Sequence, residues 1–164
     1  MLETKFLKDN IQNIQKLMAL PPLKEFETAS LRQLLRLSKM REFKHNEQII
    51  EEGAQDPWLY FLLSGRVRVE KDGIPITYLQ KMGDIIGEMR MLDGKERSAS
   101  VFADGDVVCL AVKTDARDRL ASEEEKSNFL LTLYRMFTEF VTLRLRLLNY
   151  ELVRVKGELK KKNP

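Results

Sequence analysis

The stretch Gly83-Asp84-Ile85-Ile86-Gly87-Glu88-Met89-Arg90-Met91-Leu92-Asp93-Gly94-Lys95-Glu96-Arg97-Ser98-Ala99-Ser100-Val101 carries most of the information in this chain. A short apolar strand bounded by glycines leads into Gly87-Glu88-Met89, which opens one helical turn. Free backbone N–H groups at such a turn attract an anion. Arg97 begins the next strand, and its planar fork suits a phosphate. Glu88 has no lysine partner at helical spacing. A carboxylate beside a phosphate site would repel the phosphate. It makes sense there as an acceptor of hydroxyl hydrogen bonds, as from a sugar.

Around this stretch the period of the sequence is that of strands. Seven of the eight glycines lie between Gly53 and Gly105. Gly65-Arg66-Val67-Arg68-Val69-Glu70 alternates apolar and polar, Asp72-Gly73 supplies a hairpin turn, and Ile74 to Leu79 returns. Asp104-Gly105 reads as a second such turn between Ser98–Phe102 and Val107–Val112. Val107 to Val112 is apolar throughout, which predicts a strand buried on both faces. Short strands with frequent turns predict a sandwich or small barrel.

The quoted stretch resembles the phosphate-binding cassette of cyclic-nucleotide-binding domains, especially those of bacterial regulators of the catabolite activator type. The matching residues are Gly83-Asp84, Gly87-Glu88 and Glu96-Arg97-Ser98-Ala99, with Glu52-Gly53 and Tyr60…Gly65 upstream and a long helix downstream. The resemblance covers roughly residues 22–155. It implies an α+β, mainly β fold: a double-stranded β-helix (jelly roll) with N-terminal helices over 1–40, a ligand-binding roll over 41–120, and a long dimerisation helix with a basic tail over 121–164. It implies that Arg97 and Ser98 bind the cyclic phosphate with the amides of Gly87, Glu88 and Met89. Ala99 belongs to the same motif, and Glu88 would accept from the ribose hydroxyl. Arg144 and Asn149 match base-contacting positions on the helix. The ligand would be cAMP, with cGMP the alternative, and would signal through that helix to a partner protein. Two departures stand out. Arg90 replaces the family's usual small residue, and the chain stops at Pro164 with no winged-helix DNA-binding domain. A roll that has lost its ligand, with Glu88 and Arg97 paired to each other, is one alternative. The sensor half of a DNA-binding regulator is the other.

On the N-terminal side, Phe6, Leu7, Ile11, Ile14, Leu17 and Met18 predict a helix over residues 1–20, ended by Pro21 and Pro22. Ser30 with Gln33 fits a capping box for a second helix, whose apolar stripe is Leu31, Leu34 and Leu35. On the C-terminal side, Leu133, Met136, Phe140, Leu143, Leu147 and Tyr150 form a heptad seam, beside a second stripe of Phe137, Val141, Leu148, Leu152 and Val155. Two stripes predict two partners, the roll and the same helix of a second subunit, hence a homodimer through residues 133–152. Five basic groups against one Glu follow from Val153 onward and read as a solvated end.

Composition excludes several classes. The chain has 164 residues with 43% hydrophobic and 32% charged, enough apolar material for a core. A net charge of +3 is no general nucleic-acid footprint. One Cys and one His exclude an intrachain disulfide and any zinc or other metal site needing several thiolates or imidazoles. No Gly-Lys-Ser/Thr loop is present, so the expectation is a non-enzymatic protein with no catalytic residues and no metal. No apolar run reaches membrane length and the start lacks a signal pattern, which places the protein in a reducing cytoplasm. Cys109 reads as inert core, His45 as a solvated turn residue, and Trp58 as packing at a barrel end.

Overall fold

The computed structural model describes residues 1–4, 11–24, 26–115, 120 and 122–162. Among the described residues, nine strands form two sheets. The five-stranded sheet has the order β1 (Leu2–Glu3), β2 (Ser38–Phe43), β9 (Val107–Lys113), β4 (Trp58–Ser64), β7 (Ile85–Ile86). The four-stranded sheet has the order β3 (Gln48–Ile50), β8 (Ser100–Ala103), β5 (Val67–Lys71), β6 (Ile74–Leu79). All pairings are antiparallel, and the chain passes repeatedly from one sheet to the other, giving the expected jelly-roll architecture.

The two faces of the larger sheet hold two separate cores. Tyr60, Leu62, Cys109 and Ala111 face the smaller sheet and meet Phe43, Val67 and Val101. Leu59, Phe61, Leu110 and Val112 face the other way, against helices α1 (Ile11–Met18), α2 (Thr28–Arg36) and α4 (Glu123–Lys162). The apolar run Val107–Val112 is thus covered on both faces, as its sequence predicts.

The two Asp-Gly turns do different things. Asp72 and Gly73 both take positive φ (52° and 76°) and close the β5–β6 hairpin. At Asp104-Gly105 the chain turns, but β8 and β9 lie in different sheets and do not pair. That turn is a corner between sheets, not a hairpin. β8 also begins at Ser100 and not at Ser98.

The N-terminal expectation needs correction. Residues 2–3 form a strand paired with β2, and the helix begins at Ile11; Phe6 and Leu7 lie outside the described residues. Glu3 finds Lys39 and Arg41 on β2, and the open sheet edge takes its backbone, which together outweigh helical spacing. The capping box does not form either. Glu27 is the N-cap of α2, without a side-chain cap, and Ser30 lies inside the first turn. The stripe Leu31, Leu34 and Leu35 is fully buried as expected. β2 starts at Ser38, three residues before the expected boundary of the roll.

Helix α4 spans 40 residues, about 60 Å at 1.5 Å per residue. Phe129, Leu133, Met136 and Phe137 are buried against the roll, while Leu143, Leu147, Leu148, Tyr150, Leu152 and Val155 are exposed. The two apolar stripes are therefore divided along the helix and not around it. Both are seated on the roll at their first members and both are open at their last.

Candidate functional site

β7 delivers the chain to Gly87, and the six-residue helix α3 (Glu88–Asp93) follows. Gly87 has φ 89°. A Cβ at this position would fall on the guanidinium of Arg97, so glycine is required here for both backbone and space. The segment 95–99 then returns past the loop before β4. Gly53 N donates to the Arg97 carbonyl at 2.9 Å and Arg97 N to the Ala54 carbonyl at 3.0 Å, which pins the arginine backbone.

Seven of the eight residues picked out by sequence line one cavity of about 140 Å³: Gly87, Glu88, Met89, Arg97, Ser98, Ala99 and Arg144. Ile76, Thr77 and Leu79 of β6 close one side. Asn149 does not line it; that side chain is exposed, five residues further along α4. The Ser98 hydroxyl donates to Met89 Sδ at 3.4 Å.

Arg97 is 5% exposed and heavily engaged. Its Nε donates to Asp56 Oδ2 at 2.9 Å and its Nη2 to Asp56 Oδ1 at 2.7 Å, a bidentate pair. Nη2 also donates to the Trp58 carbonyl, and Nη1 to the Gly87 carbonyl at 2.8 Å. Burial pushes the Asp56 carboxyl up, but the hydrogen bonds and charge of Arg97 outweigh it and hold the group below its ordinary range. Asp56 was not found from sequence. It lies 41 residues from Arg97, in a loop whose Asp-Pro step reads only as a turn.

Glu88 is buried, and burial raises its carboxyl above the ordinary range against the pull of Arg144 and Arg97. Its nearest cation is Arg144 of α4, with Nη1 3.5 Å from Oε1. Glu88 and Arg97 thus face the same cavity with separate partners, and the mutual ion pair weighed from sequence is not formed. Nor does Arg90 plug the cavity: its Nη1 donates to the Lys95 carbonyl at 3.1 Å on the rim.

A larger groove of about 440 Å³ lies on the far side of Arg97, lined by Asp56, Trp58, Arg90, Asp115 and Tyr134. Its two aspartates make it the poorer place for an anion. The smaller cavity instead brings the side chains of Arg97 and Arg144 together with the buried carboxylate of Glu88.

The cyclic nucleotide-binding domain family model matches residues 40–124. The chain belongs to this family. It is 32% identical over 114 residues to the cAMP-dependent protein kinase regulatory subunit of Aspergillus fumigatus, covering 68% of this chain and 27% of that one. It is 35% identical over 81 residues to the cGMP-dependent protein kinase of Toxoplasma gondii, covering 49% of this chain and 8% of the relative. A putative cyclic nucleotide-binding protein of Geobacter metallireducens has the same fold, with TM-score 0.70, 17% identity, and coverage of 80% and 96%. The chain spans less than a third of the length of the curated relatives it matches. This cyclic nucleotide-binding domain has no metal-holding cluster among its described residues, and no helix there is long and apolar enough to cross a membrane.

Proposed function

We propose that this domain is a regulatory module that binds a cyclic nucleotide monophosphate beside α3 and signals through α4. Arg97 and the amides of Gly87, Glu88 and Met89 hold the phosphate, Ser98 adds a hydroxyl, and Ala99 leaves room. Glu88 accepts from the ribose, and the base lies towards Arg144. The observation that carries this reading is the fit between Gly87 and Arg97, where the missing Cβ makes the space for the guanidinium beside a buried carboxylate. cAMP is favoured, with cGMP the alternative, on the resemblance of the cassette to that of the bacterial catabolite activator type. No catalytic role is assigned to any residue.

The cavity of about 140 Å³ is below the roughly 300 Å³ at which ligand pockets begin. Ligand entry therefore requires the wall to move. The wall that closes the base end is Arg144 on α4, so a ligand that displaces Arg144 from Glu88 biases the position of the helix. The distal half of α4 then carries that change to a second copy, in a homodimer through residues 133–152 and beyond. Tyr134, Thr138, Val141, Leu145, Leu148, Leu152, Val155 and Leu159 step by four and three, and all are exposed or half-exposed.

Thermal shift and calorimetry test the ligand. At a hundred times its Kd, cAMP should stabilise the fold by about 2.7 kcal/mol, several degrees in Tm. Arg97→Ala removes charge-assisted hydrogen bonds of about 1.5–3 kcal/mol each, so affinity should fall roughly a hundredfold to ten-thousandfold. No shift with millimolar cAMP or cGMP, or an Arg97→Ala protein that binds like the parent, refutes the assignment.

A further inference from the structure

A line of charged and aromatic side chains runs from the first strand to the cassette arginine. The Glu3 carboxylate accepts from Lys39 Nζ at 2.5 Å and from Arg41 Nε at 2.5 Å. The Arg41 guanidinium lies 3.8 Å from the centroid of the Trp58 ring, and its Nη1 donates to the Tyr60 hydroxyl at 2.7 Å. Arg41 on β2 and Trp58 on β4 are not on neighbouring strands; β9 runs between them. The register sets Cys109 opposite Arg41 and Ala111 opposite Tyr60, and these small side chains leave the guanidinium room to cross.

Trp58 then touches both members of the pair that fixes the cassette. Its backbone N–H donates to Asp56 Oδ1 at 3.1 Å, and its carbonyl accepts from Arg97 Nη2. Arg41 is only 8% exposed. A buried cation needs a counter-charge, and Glu3 supplies it. The cation in turn is attracted to the indole face and holds the ring down. The backbone of the same residue is hydrogen-bonded on both sides of the Asp56–Arg97 pair, so a shift of the ring is passed to that pair.

We propose that Arg41, held by Glu3 of the first strand, is a positioning residue for Arg97, acting through Trp58. The N-terminal strand thereby sets how firmly the anion-binding guanidinium is held. The consequence for affinity rests on the proposed role of Arg97 as the phosphate group; the coupling itself does not.

The test reads Arg97 directly in the free protein. Its Nε–Hε NMR signal is assigned as the one lost in Arg97→Lys. Glu3→Gln and Arg41→Met should each speed hydrogen exchange at this signal by about tenfold. Glu3→Asp should restore it in part. Emission from Trp58, the one tryptophan in the sequence, should shift in the same variants. Glu3 sits at the sheet edge, so Glu3→Gln keeps the test valid if Arg41→Met fails to fold. cAMP titrations should show Kd raised about three- to tenfold. Unchanged exchange at Arg97 in Glu3→Gln, with Trp58 emission altered, overturns the proposal. A changed Arg97 signal in a protein that binds no cAMP upholds the positioning and sinks the ligand instead.

Discussion

The two halves of α4 share apolar spacing and lie in opposite environments. From Phe129 to Phe137 the helix buries four large side chains against the core formed with α1, α2 and the larger sheet. From Leu143 to Leu159 it exposes nine large hydrophobic side chains that are each more than two-fifths accessible. Arg144, whose guanidinium reaches Glu88, marks the junction. Heptad spacing is continuous through both halves, so spacing does not decide which surface is covered. What decides is the length of the roll beneath the helix. An exposed apolar seam of that size is the surface on which the proposed homodimer rests.

The largest effect is expected from removing one anchor of the seated half. Phe137→Ala should cost about 3–5 kcal/mol, read as a lower urea midpoint at constant m. A loss under about 1 kcal/mol would mean that this half is not seated. Next comes the open half. Leu148→Gln with Leu152→Gln should convert dimer to monomer by light scattering while changing the stability of the isolated roll by no more than about 0.5 kcal/mol per site. An unchanged mass, or a loss as large as that of Phe137→Ala, would erase the distinction.

The smallest expected effect lies at the junction and depends on pH. Glu88 has its carboxyl raised by burial above the ordinary value of 4.5, so the folded state keeps a proton that the unfolded chain gives up. Stability should fall as pH rises from that value through the raised one, then level off. Glu88→Gln should remove this slope in pH-dependent urea titrations. Asp56 behaves oppositely. Its carboxyl is held below the ordinary 3.8, so its contribution is present above that value and is lost as pH falls through the lowered one. A slope that survives in Glu88→Gln would assign it to another group.

Much of the site was legible because its signals are local. Gly87 and Arg97 are ten residues apart and fall within one continuous motif, whereas the guanidinium's use of the space left by the missing Cβ is seen only in the fold. The alternating strands and the Asp72-Gly73 hairpin were legible for the same reason. Asp104-Gly105 has the same turn chemistry, yet it joins strands in different sheets, because pairing is settled by distant partners and not by the turn. Asp56 and Arg41 were missed on similar grounds. Each acquires its role from a residue about forty positions away, and neither has a periodic pattern of its own. Asn149 was placed by analogy along the helix, but it points from an exposed turn beyond the cavity.

The alternating strands, the cassette motif and the apolar spacing of α4 are already written in the chain, since they depend on period, turn chemistry and steric allowance within a few residues. Folding in three dimensions settles that Arg97 is gripped by Asp56 while Glu88 turns to Arg144, that residues 2–3 form a strand, and where along α4 the roll stops covering the seam. Those outcomes depend on which charges and surfaces meet across the fold, where burial makes each ionic group take the nearest partner that satisfies it.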